Sequence, residues 1–340
     1  MLGQDKEIIM AVETSCDETA VAILAEGKDL LTNIVSSQIK VHQQYGGVVP
    51  EIASRKHLEQ VNGLISLALK EAKLNFSQLS ALAVTYGPGL VGALLVGVST
   101  VKALAYSLKL PLLAVNHIEG HIYANWLTHK HIEFPLIGLI VSGGHTALVE
   151  MRGHGEYVLL GQTQDDAVGE AYDKVARAMG LSYPGGPLLD RLAQEGNPEA
   201  VKLPRAWLGE NSYDFSFSGL KTAVLNYLNR ASQKGEKVIQ ADLAASFQAS
   251  VVEVLVEKTV RAAKQKGILS VLMAGGVSAN SSLREEMQKR CGQEGLKLYY
   301  PPLEFCTDNA AMIACAAHYR YLKGEFANWS LNAVPQLRLY

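Results

Sequence analysis

His117 and His121 stand four residues apart in "AVNHIEGHIYANW", directly after an apolar run. On an α-helix that spacing turns the second side chain about 40° from the first, one turn along the same face. Two imidazoles so arranged suit one divalent metal. Two surface or core histidines make the same pattern, and for an isolated pair that plainer reading is the commoner one. A metallopeptidase is excluded by geometry. Its signature puts an acid one residue after the first histidine, within reach of a metal-bound water. Here Glu119 comes two residues after His117, about 200° around the helix and away from the shared face.

A third ligand is needed. "FCTDNAAMIACAA" offers Asp308 at the start of an alanine-rich helix, where Asp ordinarily serves as an N-cap. Taken alone, capping is the better reading of Asp308. Beside the histidines it would complete a His₂Asp set with open positions for a substrate oxygen.

Glycine turns are the second chemical signal. "VSGGH" between two strands bares backbone N–H groups of Gly143 and Gly144, as a turn that cradles phosphate does; an ordinary hairpin turn has the same composition. "AGGVSAN" joins a strand to a helix, with Gly275 and Gly276 permitting close approach of a flat ring and Asn280 near the helix start. Asp190 in "GGPLLD", after Gly186, and Asp173 on the preceding helix are acceptors suited to ribose hydroxyls; Asp173 is equally readable as a solvated helix residue.

The elements that must carry these residues alternate. Residues 7 to 24 read as strand, polar turn, strand, and residues 136 to 151 repeat that arrangement, which suggests an internal duplication. Between them lie the amphipathic helix "SRKHLEQVNGLISLALKEA", the strand "LSALAVTY", a Gly-Pro-Gly turn, a buried helix to about Leu108 and the strand "LPLLAV". The second half holds the helix "DDAVGEAYDKVARAMG", the turn "SYPGGP", helices near 240 to 266 and 309 to 323, and the strand "ILSVLMAGG" leading into a helix. Strands alternating with helices indicate α/β lobes. A boundary near residues 125 to 135 divides an N-terminal lobe, 1–130, from a C-terminal lobe, 131–340.

The 340 residues are 48 % apolar and 19 % charged, with formal net charge −2. Such a balance excludes a protein that coats nucleic acid by bulk charge. The opening "MLGQDKEIIMAVETS" is too acidic and too soon interrupted for a secretory signal. The stretch between Lys73 and Lys102 is uncharged, but its polar residues and Gly-Pro-Gly turn break it, so no membrane span is expected. Cys16, Cys291, Cys306 and Cys315 show no C-x-x-C pairing and read as scattered reduced thiols of a cytoplasmic protein. Two basic clusters stand out: Arg55, Lys56 and His57, and Arg284, Lys289 and Arg290. Solvated helix faces look the same.

Two hairpin-led lobes with a glycine-rich adenosine segment resemble the actin/Hsp70/sugar-kinase superfamily. The ordered runs "ETSCDET", "NHIEGH", "VSGGHT", "DDAVGEAYDKVAR", "YPGGP", "FSFSGLKTA", "GGVSAN" and "CTDNA", over residues 7 to 325, resemble the TsaD family, formerly called glycoprotease Gcp. The resemblance implies a duplicated two-lobed α/β fold with its active site in the interlobe cleft. It implies that His117, His121 and Asp308 hold one iron ion, Fe²⁺, replaceable by Zn²⁺ on purification. It implies that Ile140, Val141, Ser142, Gly143 and Gly144, with Asp173, Gly186, Asp190 and Asn280, bind an adenylate. The implied reaction moves a threonylcarbamoyl group from threonylcarbamoyl-AMP to N6 of the adenosine just 3′ of the anticodon in tRNAs reading ANN codons, releasing AMP. TsaB and TsaE are the implied partners, and TsaC the supplier of the adenylate. Where superfamily kinases usually carry Asp-x-Gly at the first hairpin, Glu13-Thr14-Ser15-Cys16 stands here, which disfavours direct phosphotransfer. No general base is identified; Glu13 and Asp17 are candidates, and either could simply shape the turn. Near-neutral charge predicts that tRNA binding leans on a partner protein, and the apolar helix "GLVGALLVGVSTVKALAY" is either a TsaB dock or a core helix. A carbamoyltransferase acting on a small molecule and a non-catalytic ATP-binding switch are the alternative functions.

Overall fold

The computed structural model describes residues 6–209 and 211–340. The first five residues, including the start of the segment read for a leader, lie outside the described residues. In chain order the elements are β1 (Ile8–Glu13), β2 (Glu18–Ala25), β3 (Asp29–Ser37), α1 (Ile39–His42), α2 (Pro50–Ala72), β4 (Ala81–Gly87), α3 (Val91–Leu108), β5 (Leu112–Asn116) and α4 (His117–Tyr123). There follow β6 (Leu136–Val141), β7 (Thr146–Gly153), β8 (Glu156–Gln162), α5 (Val168–Ala178), α6 (Gly185–Ala193), α7 (Ser218–Lys234), α8 (Gln240–Lys266), β9 (Ser270–Ala274), α9 (Ser281–Gln293), β10 (Lys297–Tyr299) and α10 (Ala310–Leu322).

Two five-stranded sheets share one design. The first runs β3-β2-β1-β4-β5 and the second, read from its far edge, β8-β7-β6-β9-β10. In each, an antiparallel hairpin (β1/β2 or β6/β7) gains a third antiparallel strand on one side and two parallel strands on the other. The central strands β1, "IIMAVE", and β6, "LIGLIV", are buried along their whole length. Strands covered on both faces lose the apolar–polar alternation and become continuous apolar runs. The edge strand β3 alternates and is half exposed, which keeps the outer ladder soluble.

The chain forms two compact units. The first comprises the described residues up to His131 together with Pro301–Leu339; the second is Ile132–Tyr300 with Tyr340. The C-terminal lobe expected over 131–340 is thereby corrected: residues 301–339 belong to the first unit. The reason is α10, whose residues Ala310–Ala317 are all buried. A helix apolar all round must lie inside, and α10 does so against β1, β2 and α4.

In the first unit, α2 and α3 cover the other apolar side of the sheet through Val61, Ile65, Val98 and Val101, which meet Met10 and Val84. α3 is the one helix among the described residues long and apolar enough to cross a membrane. Its inner face is packed: a β-carbon on Gly97 would lie 2.4 Å from Thr14 Oγ1. Its other side is not the buried helix expected, because Val91, Leu95 and Tyr106 are exposed. In the second unit, α8 is a central buried helix whose Leu243, Phe247, Val251 and Leu255 anchor the core.

Candidate functional site

α4 begins immediately after β5. Asn116 ends the strand and caps the helix, its Oδ1 accepting from Ile118 N at 2.8 Å and Glu119 N at 3.3 Å, so His117 occupies the first helical position. The His117 and His121 rings sit one turn apart with centroids 4.7 Å from each other. Asp308 joins them: its Oδ1 lies 3.5 Å from His117 Nε2 and 3.2 Å from His121 Nε2. The three side chains offer ligand atoms all within 4.8 Å of one another.

The capping role expected for Asp308 falls to its neighbour. Asn309 Oδ1 accepts from Met312 N at 3.0 Å and starts α10, which leaves the Asp308 carboxylate to the histidines.

Behind His117 stands Glu13, fully buried at the end of β1. Its Oε2 lies 3.2 Å from His117 Nδ1 and accepts from Thr85 Oγ1, while its Oε1 accepts from Ser15 N. Ser15 Oγ is 3.1 Å from the same His117 Nδ1. A carboxylate behind a histidine fixes the proton on Nδ1 and turns the Nε2 lone pair outward, the usual support for a metal ligand. The sequence candidate Glu13 is therefore occupied in orienting His117. Asp17 is buried beside it in the same turn, next to Glu18.

The electrostatics of this turn call for a cation. Burial alone would raise the Asp308 carboxyl, but the two imidazoles outweigh it and hold it at about 2. Burial opposes the His117 imidazolium, yet Asp308 and Glu13 raise it to about 9. Burial, then Asp308 and Asp17, push Glu18 up to about 9. Burial and Asp17 likewise raise the Cys16 thiol well above its ordinary value. Several acids thus crowd one small volume, and without a metal a histidine proton supplies the compensating charge. His121 Nδ1 is buried without a hydrogen-bond partner among the described residues. Its Nε2 is the nitrogen turned toward the other ligand atoms, 3.2 Å from Asp308 Oδ1. Donor set, orientation and charge all fit a divalent ion.

Glu119 points away from the trio, as its spacing predicts. It is buried and accepts from Arg320 Nε and Nη2 at 3.0 and 2.7 Å. Arg320 is half-buried and Glu119 buried, so removing the arginine would leave an uncompensated carboxylate inside the fold.

The second unit carries the anion-binding candidates. At the β6–β7 turn, Ser142 N donates to His145 O at 2.8 Å and His145 N to Ser142 Oγ at 3.1 Å. Gly143 and Gly144 are exposed, and no atom lies within 4 Å of where either would carry a β-carbon. Ile140 and Val141 are buried strand residues that hold this turn. α5 presses on it from below: a β-carbon on Gly169 would lie 2.7 Å from Ser142 O.

The other predicted residues meet in two pairs. Asp173 Oδ1 accepts from Gly185 N at 2.8 Å and Gly186 N at 3.3 Å, so it caps α6 and is no simple solvated residue. Asp190 Oδ1 accepts from Asn280 Nδ2 at 3.1 Å, Gln248 Nε2 at 3.0 Å and Ser281 Oγ at 2.8 Å. Asn280 Oδ1 caps α9 through Leu283 N at 2.9 Å. Gly275 is corrected in its reason. It has φ +92°, and a β-carbon there would lie 2.4 Å from Val141 O, so the strand next door demands the glycine. Gly276 alone has open space around it.

Sequence reading missed the contacts that join "DDAVGEAYDKVAR" to "FSFSGLKTA". Asp165 accepts from Phe217 N at 2.8 Å and Ser218 N at 3.3 Å, starting α7. Asp166 pairs with Lys174 and Lys221 at 2.7 and 2.6 Å. Burial opposes its charge, and the two lysines win, holding it at about 2. The basic clusters are mostly engaged within the chain. Lys56 pairs with Glu59, Lys289 with Glu286 and Arg290 with Glu257. Arg284 stacks on Tyr300, and His57 is buried between Thr19 and the Cys16 carbonyl.

The paired sheet orders have counterparts of known structure. HypF of T. kodakarensis superposes with TM-score 0.62 at 16 % identity, over 96 % of this chain and 49 % of that one, so the chain spans about half of HypF's length. Component A of Acidaminococcus fermentans (R)-2-hydroxyglutaryl-CoA dehydratase superposes with TM-score 0.51 at 15 % identity, covering 93 % and 99 % of the two chains. The class is that of the duplicated α/β fold of actin, Hsp70 and the sugar kinases. Within that class, the family model "TsaD: tRNA N6-adenosine threonylcarbamoyltransferase" matches residues 29–315. A tRNA N6-adenosine threonylcarbamoyltransferase of Moorella thermoacetica is 58 % identical over 331 residues, 97 % of each chain. The chain belongs to the TsaD family.

Proposed function

We propose that this chain transfers the threonylcarbamoyl group of threonylcarbamoyl-AMP to N6 of the adenosine just 3′ of the anticodon in tRNAs reading ANN codons, with release of AMP. The observation that carries the reading is the convergence of His117, His121 and Asp308 within 4.8 Å, which a nucleotide-binding switch does not need. Iron, Fe²⁺, is the proposed ion, with Zn²⁺ able to replace it in purified protein, since a His₂Asp set accepts either. When bound it supplies a Lewis acid with vacant positions for donor oxygens.

The chain's own residues do the rest. Glu13 and Ser15 hold the His117 Nδ1 proton, so that Nε2 keeps its lone pair. The exposed Gly143 and Gly144 amides receive the phosphate that leaves with negative charge. Ile140 and Val141 seat that turn, Asp173 with Gly186 and Asp190 with Asn280 frame the adenylate, and Asp17 remains the candidate base. The acceptor N6 is a weak nucleophile, its lone pair delocalised into the ring, so the donor must be an activated anhydride. Its anticodon-loop position spares the cost of flipping a base out of a duplex.

TsaB and TsaE are the proposed partners, TsaC the proposed source of the adenylate, and the cytoplasm the proposed compartment, in keeping with four free cysteines. The exposed Val91, Leu95 and Tyr106 of α3 support a dock for TsaB. Most residues of the two basic clusters are already engaged, which supports tRNA capture through a partner. The deciding experiment incubates the chain, TsaB, TsaE and threonylcarbamoyl-AMP with unmodified tRNA and analyses its nucleosides by mass spectrometry. Threonylcarbamoyladenosine is expected; its absence with all components active would refute the assignment.

A further inference from the structure

α4 is seven residues long, too short to hold its own place, and its two histidines must meet Asp308 from another helix. Contacts outside the trio have to set that spacing. Two of them come from the last stretch of the chain, Arg320 to Arg338. Arg320, in the last turn of α10, grips Glu119 with two nitrogens at 3.0 and 2.7 Å. Its Nη1 also donates to Glu325 at 3.2 Å, where the chain leaves the helix.

From there the chain doubles back across the first unit. Ala327 N donates to Leu112 O at 2.8 Å, Lys102 Nζ to Leu331 O at 2.8 Å, and Val334 N to Tyr86 O at 2.7 Å. The path is closely fitted: a β-carbon on Gly87 would lie 2.0 Å from Val334 O. It ends at Arg338, whose carbonyl accepts from Asn116 Nδ2 at 3.2 Å. Asn116 is the residue whose other amide atom caps α4. One segment thus holds the first turn of the histidine helix twice, through the cap residue and through Glu119.

We propose that residues 320–338 form a clasp that positions α4, with Glu119, Arg320 and Asn116 as positioning residues for the His117–His121–Asp308 centre. The proposal rests on the metal reading above and adds a reason for the acid inside "HIEGH". Ligand geometry tolerates only a few tenths of an ångström, so a loosened clasp lowers affinity without removing a ligand.

The test titrates the full-length, metal-free protein with Co²⁺, following the visible absorption bands that report ligand geometry, and measures affinity by chelator competition. Arg320→Met should weaken Co²⁺ binding about 10- to 100-fold and alter the spectrum. Arg320→Lys, which keeps the charge without the fork, should restore part of both. Asn116→Asp keeps the cap acceptor but cannot donate to the Arg338 carbonyl, and should weaken binding by a smaller factor. Leu69→Ala, a truncation on the core-facing side of α2, controls for lost stability and should leave the spectrum unchanged. Wild-type spectrum and affinity in both Arg320→Lys and Asn116→Asp would overturn the clasp, even if Arg320→Met fails to fold. So would a Leu69→Ala loss equal to theirs at matched melting temperature. If the wild-type chain itself binds no Co²⁺, the metal reading falls and the clasp with it.

Discussion

The turn between β1 and β2 and the turn between β6 and β7 occupy the same place in two sheets of the same strand order, yet they have opposite contents. The first is crowded with side chains: Glu13, Ser15, Cys16, Asp17 and Glu18, most of them buried. The second is bare at its tip: Gly143 and Gly144, between Ser142 and His145, leave exposed backbone there. A side-chain carboxylate can support a cation's ligand; a bare amide can receive an anion. One strand order is used twice, and on the proposed reading the residues at one turn decide which sign of charge each sheet serves.

Substitutions at the two turns should separate the two roles. The largest effect is expected from His121→Ala, which removes a donor outright. Co²⁺ affinity and tRNA modification should both fall more than about 100-fold, beyond what loss of an outer partner costs, while nucleotide binding by the second unit is retained. Loss of both bindings together would break the division. Glu13→Gln keeps shape but weakens the hold on His117, and about 10- to 100-fold weaker metal binding is expected by chelator competition. Gly169→Ala acts on the other turn. Its β-carbon would meet Ser142 O at 2.7 Å and Gly143 Cα at 2.8 Å, so the apparent KM for threonylcarbamoyl-AMP should rise, about tenfold for a displacement of this kind, with metal affinity unchanged.

Smaller effects bear on the supporting frame. Asp166 is held at about 2 by Lys174 and Lys221. Its folded value lies below the ordinary 3.8, so the stabilisation is fully present above about pH 4 and disappears as pH falls toward 2. Asp166→Asn should cost about 1–2 kcal/mol near neutral pH, discounted because Lys174 is partly exposed. In thermal melts, the gap between wild type and variant should close from pH 6 down to pH 2. Least of all, Lys289→Ala removes an exposed pair with Glu286 and should shift stability by no more than about 0.5 kcal/mol. A filter-binding assay should find tRNA affinity of the partnered complex unchanged; a large loss would make that helix face a tRNA contact after all.

Much of this arrangement is legible in the chain because its signals are local. The apolar runs of β1, β4 and β6, the four-residue histidine spacing and the bare Ser-Gly-Gly-His turn each declare themselves within a dozen residues. What stays hidden depends on partners far along the chain. α7 starts after Phe217 without a side-chain cap of its own; Asp165, more than fifty residues earlier, supplies the acceptor. The choice between capping and ligation at Asp308 turns on which of two adjacent residues takes the helix N–H groups, and only the folded backbone decides that Asn309 does. The return of α10 to the first unit follows from its all-round apolar surface, but nothing local says which sheet will bury it. Glu13 reads as a possible base until Thr85, Ser15 and His117 are seen to surround it.

Because Asn309 secures the start of α10, the helix stays wound whether or not Asp308 has an ion to hold. Loading the centre then need not wait on folding, and emptying it need not unravel the protein. On the proposed reading the ion is exchangeable in the finished enzyme, as a bulb is changed in a fixed socket, and a chelated sample should recover its activity simply by being given metal back.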